Sequence, residues 1–320
     1  MSEFTSFEEL TQQVFEKHGK PETQQAAYDL MTEAFPHFPE QANFLYNWRY
    51  CAAALLGKSD LALQIMQEGL DAGFWWGEEV LRNDDDLKSL QDLPEFNRLV
   101  EMSEARRQAA QAAAKPLALT LPPPTDATPP LPLLLALHGN SANAQLSVQY
   151  WQSAVHQGWL TALPQSSQIV MADRYVWNDL ELGANEIKAH YQELSETHQV
   201  DPARVVVGGF SKGGEMALWL ALKEVVPLAG FIAVNPGGPF IQETENWQPL
   251  LEERQTLGNL RGLFLVGEND GSKENIKALY EMLLSHGLTC ELVVAPEIGH
   301  EFPGDFDQVL AGALEFVTKP

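Results

Sequence analysis

The chain has 320 residues, 45% of them hydrophobic, and a formal net charge of −24. That length accommodates one large domain or two around an ample core. The charge repels a phosphate backbone, so nucleic acid is excluded as an expected partner. Cys51 and Cys290 are the two cysteines; they offer neither metal-ligand spacing nor a disulfide framework. No run approaches the roughly 18 apolar residues of a membrane span. The opening Met1-Ser2-Glu3-Phe4 has no basic or apolar leader pattern, so a soluble, cytoplasmic protein is expected.

Residues 1–113 read as helical throughout. Phe7, Leu10, Val14 and Phe15 share one face at spacings of three and four. Ala26, Leu30, Met31 and Phe35 form a second face, ended by Pro36 and Pro39. Phe44, Trp48, Cys51, Ala52 and Leu55 mark a third. Leu61, Ala62, Ile65, Met66 and Leu70 follow as a fourth, closed by Gly73. Gly19-Lys20 and Gly57-Lys58 recur about 38 residues apart, near the ~34-residue period of tetratricopeptide repeats. The stretch Trp48…Ala52-Ala53-Ala54-Leu55…Gly57-Lys58-Ser59-Asp60-Leu61-Ala62 resembles such a repeat. The resemblance covers roughly residues 5–105. It implies an all-α domain, 1–113, whose concave surface would hold a protein or peptide partner.

Glu104 to Ala114 is a polar helix end or linker, and Leu117 to Leu121 reads as an edge strand. Pro122 to Pro132 is a stiff, extended connection. From Leu133 the rhythm changes. Leu133–Leu137, Ile169–Met171, Arg204–Gly208, Gly230–Val234, Leu263–Val266 and Glu291–Val294 are short apolar runs. Helical stretches separate them: Leu180–Glu196, Gly213–Lys223, Lys273–His286 and Asp305–Val317. This alternation predicts an α/β domain, 114–320, with a mostly parallel sheet and helices on both faces. Its site belongs at the C-terminal ends of the strands.

One stretch carries chemistry. Arg204-Val205-Val206-Val207-Gly208-Gly209-Phe210-Ser211-Lys212-Gly213-Gly214 is a β-branched run, a glycine-rich turn and the start of an apolar helix. It contains G-x-S-x-G. In a strand–turn–helix this pattern is a nucleophile elbow that lifts the serine hydroxyl above the sheet. A serine needs a base and an orienting acid, in the chain order Ser, Asp or Glu, His. Past the strand Leu263–Val266, Glu268 and Asp270 compete for the acid; Asn269 and Gly271 form a turn that favours Asp270. Asp270 also reads as a cap for the helix from Lys273. Downstream lie His286, which reads as a helix end, and His300, which follows a strand as a base should. The oxyanion would be held by the N–H groups of Lys212 and Asn140, with His138 bracing that loop.

Residues 115–319 resemble the phospholipase/carboxylesterase branch of the α/β-hydrolases, which includes acyl-protein thioesterases. The motifs are Leu137-His138-Gly139-Asn140, Ala162-Leu163-Pro164-Gln165-Ser166, Trp177-Asn178-Asp179, Gly208 to Gly214, Gly267-Glu268-Asn269-Asp270 and Gly299-His300-Glu301. The resemblance implies Asp270 as the acid and a Ser211–His300–Asp270 triad cleaving esters or thioesters through an acyl-enzyme, with no metal or cofactor. It places Trp177 at the wall of the substrate pocket, a core-capping aromatic being the equal alternative, and His138 is a second candidate for that pocket. The chain departs from the family at Asn140-Ser141-Ala142-Asn143, usually glycine-rich, and at Lys212, often Gln. The rival reading is a tetratricopeptide-type interaction module carrying a weakly active or inactive hydrolase domain.

Overall fold

Ser6 opens the first helix by accepting a hydrogen bond from Glu9 N–H at 3.1 Å. The helices that follow are α1 (Phe7–Lys17), α2 (Gln24–Ala34), α3 (Ala42–Leu55), α4 (Ser59–Asp71), α5 (Glu78–Asn83) and α6 (Pro94–Ala113). The computed structural model describes residues 6–125, 127–253 and 258–319, so the opening Met1-Ser2-Glu3-Phe4 lies outside it. Two compact units emerge: Met1–Ala113 with Ile169–Ala172, and Ala114–Gln168 with Asp173–Pro320.

In the first unit α1 packs on α2, and α3 on α4. The hairpin turns pass through Gly19 and Gly57 at φ 73° and 70°, the left-handed region where glycine costs least. Leu10, Val14, Ala27, Met31, Leu45 and Ala52 form one core; Ile65, Leu70, Trp76, Leu81, Phe96 and Leu99 belong to a second. Phe15 departs from its expected face: it is 62% exposed and meets the Trp48 ring at 5.8 Å. The run Ile169–Met171 also departs from expectation. It forms a strand, β4 below, that clusters with the helical unit and takes no place in the large sheet. Gly77 N–H donates to Val170 O at 2.8 Å, and Ala172 N–H to Trp75 O at 3.0 Å. A short apolar run satisfies either core equally well.

The second unit contains β1 (Leu117–Leu121), β2 (Leu131–Leu137), α7 (Ala144–Trp151) and β3 (Leu160–Gln165), followed in the chain by β4 (Ile169–Met171) of the first unit. It continues with β5 (Arg174–Tyr175), α8 (Leu180–Thr197), β6 (Val200–Phe210), α9 (Lys212–Lys223), β7 (Gly230–Val234) and α10 (Pro239–Gln242). Then come α11 (Gln248–Glu253), β8 (Arg261–Gly267), α12 (Lys273–Ser285), β9 (Thr289–Ala295) and α13 (Phe306–Val317). Seven strands form one sheet in the order β1-β3-β2-β6-β7-β8-β9. β1 is an antiparallel edge on β3, and the remaining pairings are parallel.

Both faces of the sheet are buried, which explains the continuous apolar runs. Leu133, Leu135, Val205, Val207, Phe231 and Phe264 meet α8, α9 and α12 on one face. Leu134, Ala136, Val206, Ile232, Leu263 and Leu265 meet α7 and α13 on the other. The strand β3 and helix α7 are elements the apolar-run reading does not assign. The C-terminal ends of β2, β6, β7, β8 and β9 line up along one edge, and their loops carry the site.

In the helical unit, Glu104 joins α6 to the start of α5. It accepts from Arg107 Nη2 at 2.7 Å and from Glu78 N–H at 3.0 Å. The Arg107 hydrogen bonds, opposed by partial burial, hold its carboxyl down at about 2. The unfolded chain therefore takes up this proton first as pH falls, so the stability it contributes is complete above about 4.5 and lost towards about 2. Glu104→Gln is expected to lower the melting temperature of the helical unit by roughly 1–2 °C at pH 7. Thermal unfolding followed by circular dichroism should show this difference closing as the pH falls through that window.

Candidate active site

β6 ends at Phe210 and α9 begins at Lys212, so Ser211 alone makes the turn. It takes φ 54° and ψ −121°, a conformation that costs a non-glycine residue on the order of 1–3 kcal/mol. Main-chain bonds hold it there. Ser211 N–H donates to Val234 O at 3.0 Å, and Ser211 O accepts from Gly214, Glu215 and Gly237 N–H at 2.9, 3.2 and 3.0 Å. The flanking glycines are steric necessities. A Cβ on Gly209 would stand 2.1 Å from Gly213 O, and one on Gly213 would stand 2.5 Å from His138 O.

The turn brings three loops together. Ser211 Oγ lies 2.9 Å from His300 Nε2, and His300 Nδ1 lies 2.7 Å from Asp270 Oδ2. With Asp270 ionised, Nδ1 carries the proton and Nε2 accepts from the hydroxyl. The Asp270 side chain is 2% exposed and the His300 ring 44%. Burial raises the Asp270 carboxyl. The hydrogen bonds from His300 and Ser272 N–H, with the His300 charge, outweigh burial and hold it below the ordinary carboxylate range. Its second oxygen accepts from Ser272 N–H at 2.7 Å, just ahead of α12, so the loop-capping and histidine-orienting roles coexist on one carboxylate. The competing Glu268 is exposed and instead accepts from Glu297 N–H at 3.1 Å. His286 caps α12, its Nδ1 2.8 Å from Met282 O.

The oxyanion candidates lie on either side of Ser211. Lys212 is the first residue of α9, where N–H groups point out of the helix. A Cβ on Gly139 would lie 3.6 Å from that of Ser211, so the His138-Gly139-Asn140 loop runs alongside it, and Asn140 is exposed. His138 and Trp177 are buried, which fits the bracing role expected of His138 and not a place for either at a pocket wall. They are 1% and 0% exposed, their rings tilted against each other at 4.9 Å behind the loop. Trp177 Nε1–H donates to His138 O at 3.0 Å, and Ser166 N–H donates to His138 Nε2 at 3.3 Å. Burial pulls the His138 pKa down to about 4, so the ring is neutral and acts as a brace.

Several residues beside the site escape the sequence reading. The Lys212 ammonium pairs with the Glu215 carboxylate, their side chains 8% and 0% exposed. Glu215 also accepts from Phe240 and Ile241 N–H at 2.8 and 3.3 Å, mooring the chain after β7. Burial raises the Glu215 pKa although Lys212 opposes it. Two charges at i and i+3 in an otherwise apolar helix are the signal that could have revealed this pair. Phe210 meets the His300 ring at 5.1 Å, and Phe302 stacks between Phe210 and Tyr150 at 4.6 and 3.9 Å. Asn235, fully buried just past β7, bonds to both the acid and histidine loops. By contrast, a cavity of about 650 Å³ lined by Pro202, Arg204, Ala229, Leu260 and Val317 opens at the opposite, N-terminal edge of the strands. The convergent polar groups favour the C-terminal edge as the site.

Residues 6–111 match the family model for an A/B hydrolase-like N-terminal domain, and residues 177–257 match that for Phospholipase/Carboxylesterase. No curated protein matches the chain. An uncharacterized protein from Bacillus cereus ATCC 10987 is similar at 28% identity. The match covers 98% of this chain and 99% of that one, with a TM-score of 0.53. Esterase PE8 is similar at 17% identity over 63% of this chain and 99% of its own, with a TM-score of 0.52. The Bacillus cereus carboxylesterase matches at 15% identity over 66% and 99%, with a TM-score of 0.50. At those identities the two esterases show the fold alone. The helical unit is thus covered by the A/B hydrolase-like N-terminal domain match. The chain is an ester-hydrolysing enzyme of the α/β-hydrolase fold, with one stretch similar to an A/B hydrolase-like N-terminal domain and another similar to Phospholipase/Carboxylesterase.

Proposed function

We propose that the chain is a serine hydrolase that cleaves carboxylic esters or thioesters with Ser211 as nucleophile, His300 as base and Asp270 as orienting acid. One observation carries this reading: the continuous hydrogen-bond chain from Ser211 Oγ through both nitrogens of His300 to a buried carboxylate, at 2.9 and 2.7 Å. His300 Nε2 takes the hydroxyl proton as Ser211 Oγ attacks the acyl carbon. Asp270 holds the tautomer and balances the imidazolium charge. The N–H groups of Lys212 and Asn140 stabilise the oxyanion. The C–O or C–S bond then breaks, and His300 returns its proton to the leaving alcohol or thiol. Water attacks the acyl-enzyme with His300 again as base, releasing the acid and restoring Ser211. Side chains and water complete the cycle. A cytoplasmic location is part of the same reading, supported by two buried, unpaired thiols, Cys51 and Cys290.

The test is steady-state hydrolysis of a p-nitrophenyl ester series from acetate to palmitate. Ser211→Ala is expected to lower kcat by at least about 10³-fold on every ester that the wild type turns over. Undiminished turnover in that variant, or a wild type inert on the whole series, would end the proposal and favour an interaction module with an idle hydrolase domain. Asp270→Asn keeps the shape of the site but favours the wrong imidazole tautomer, so kcat should fall by about 10⁴-fold. A loss below tenfold on the same esters would remove Asp270 from its role.

A further inference from the structure

Three loops must meet for Ser211, His300 and Asp270 to align, and Asn235 touches the supports of all three. Its main chain extends the β7–β8 pairing by one residue: Asn235 N–H donates to Leu265 O at 2.7 Å. The residue before it, Val234, accepts the Ser211 N–H at 3.0 Å, and Gly237, two residues after it, donates to Ser211 O at 3.0 Å. Its carboxamide spans the other two loops. Oδ1 accepts from Gly267 N–H at 2.7 Å, three residues before Asp270. Nδ2 donates to Glu301 O at 2.6 Å, the residue after His300. Asn235 is 0% exposed, so no water competes for these bonds.

We propose that Asn235 is a positioning residue for ester hydrolysis, its carboxamide clamping the acid loop to the histidine loop and thereby setting Asp270 against His300. The side chain suits this task in two ways. A carboxamide presents one acceptor and a donor from the same short stem. Asparagine also tolerates the left-handed backbone found here, at φ 40°. Ionised aspartate, the form to be assayed at high pH, has the same shape and accepts from Gly267 N–H, but its second oxygen has no hydrogen for Glu301 O. Glycine keeps the backbone conformation and removes both side-chain bonds. The inference rests on the proposed roles of Ser211, His300 and Asp270.

Asn235→Asp and Asn235→Gly separate the clamp from the fold. Both variants and the wild type are assayed on p-nitrophenyl acetate at high pH, with thermal unfolding as the control for folding. The low-field proton resonance of His300 Nδ1–H is recorded for each by NMR. Misplacement of a reacting group on the ångström scale costs on the order of 100-fold in rate. Each folded variant is therefore expected to lose about 10- to 100-fold in kcat with KM within about twofold of wild type. The low-field resonance should broaden or disappear. Wild-type kcat in the folded Asn235→Asp variant would overturn the inference. So would a fall in kcat with the resonance unchanged, because the histidine–carboxylate contact would then be intact. Failure of the underlying reading looks different: wild-type hydrolysis would then be indifferent to Ser211→Ala, whatever Asn235 does.

Discussion

A single strained residue governs the hydrolase unit. Ser211 turns the chain from strand to helix within one position at φ 54°. Such strain persists only where the surroundings over-determine it. Here they do: four main-chain hydrogen bonds fix its amide and carbonyl, and the glycines at 209 and 213 admit the neighbouring backbone at distances no side chain permits. The sheet behind it is buried on both faces by α8, α9 and α12 on one side and α7 and α13 on the other. Close-packed interiors transmit strain rather than absorbing it. The hydroxyl is therefore held at a set height above the edge where the other loops emerge.

Around that point the molecule buries several polar groups. Asp270, Glu215, His138 and Asn235 are each less than a tenth exposed. Each is satisfied by named partners, as a buried polar group must be. The environments push these groups in different directions. Hydrogen bonds keep Asp270 ionised against burial, burial keeps His138 neutral, and burial raises Glu215 in spite of its lysine. Removing one partner of such a buried pair costs more than the pair is worth, because the remaining group is left unpaired. The Lys212–Glu215 pair therefore acts structurally, tying the start of α9 to the chain at Phe240.

Periodicity reveals much of this architecture, because a parallel strand buried on both faces must be an unbroken apolar run. Gly230–Val234 reads the same in sequence and in structure. Ile169–Met171 shows the limit: its composition says strand, but nothing local says that its contacts belong with the helical unit. The serine is legible because its turn demands glycines at fixed offsets. The acid is not legible from residues alone, since Glu268 and Asp270 stand on the same turn; the contact of Asp270 with His300 across thirty positions separates them. Asn235 is less visible still. Its role exists only once residues 235, 267 and 301 meet in space, although an asparagine at the end of a central strand, followed by Pro236-Gly237-Gly238, was a turn signal worth weighing. Trp177 shows another limit: its position in a motif suits a pocket wall or a core aromatic equally, and only its indole bond to His138 O places it within the core.

The central claim is that Ser211 is the activated nucleophile. The most direct measurement is covalent: label the intact protein with a fluorophosphonate, digest it, and locate the adduct by mass spectrometry. The account predicts one stoichiometric adduct on Ser211, and a labelling rate that collapses in His300→Ala. An adduct on another residue, or Ser211 labelling that persists unchanged without His300, would contradict it.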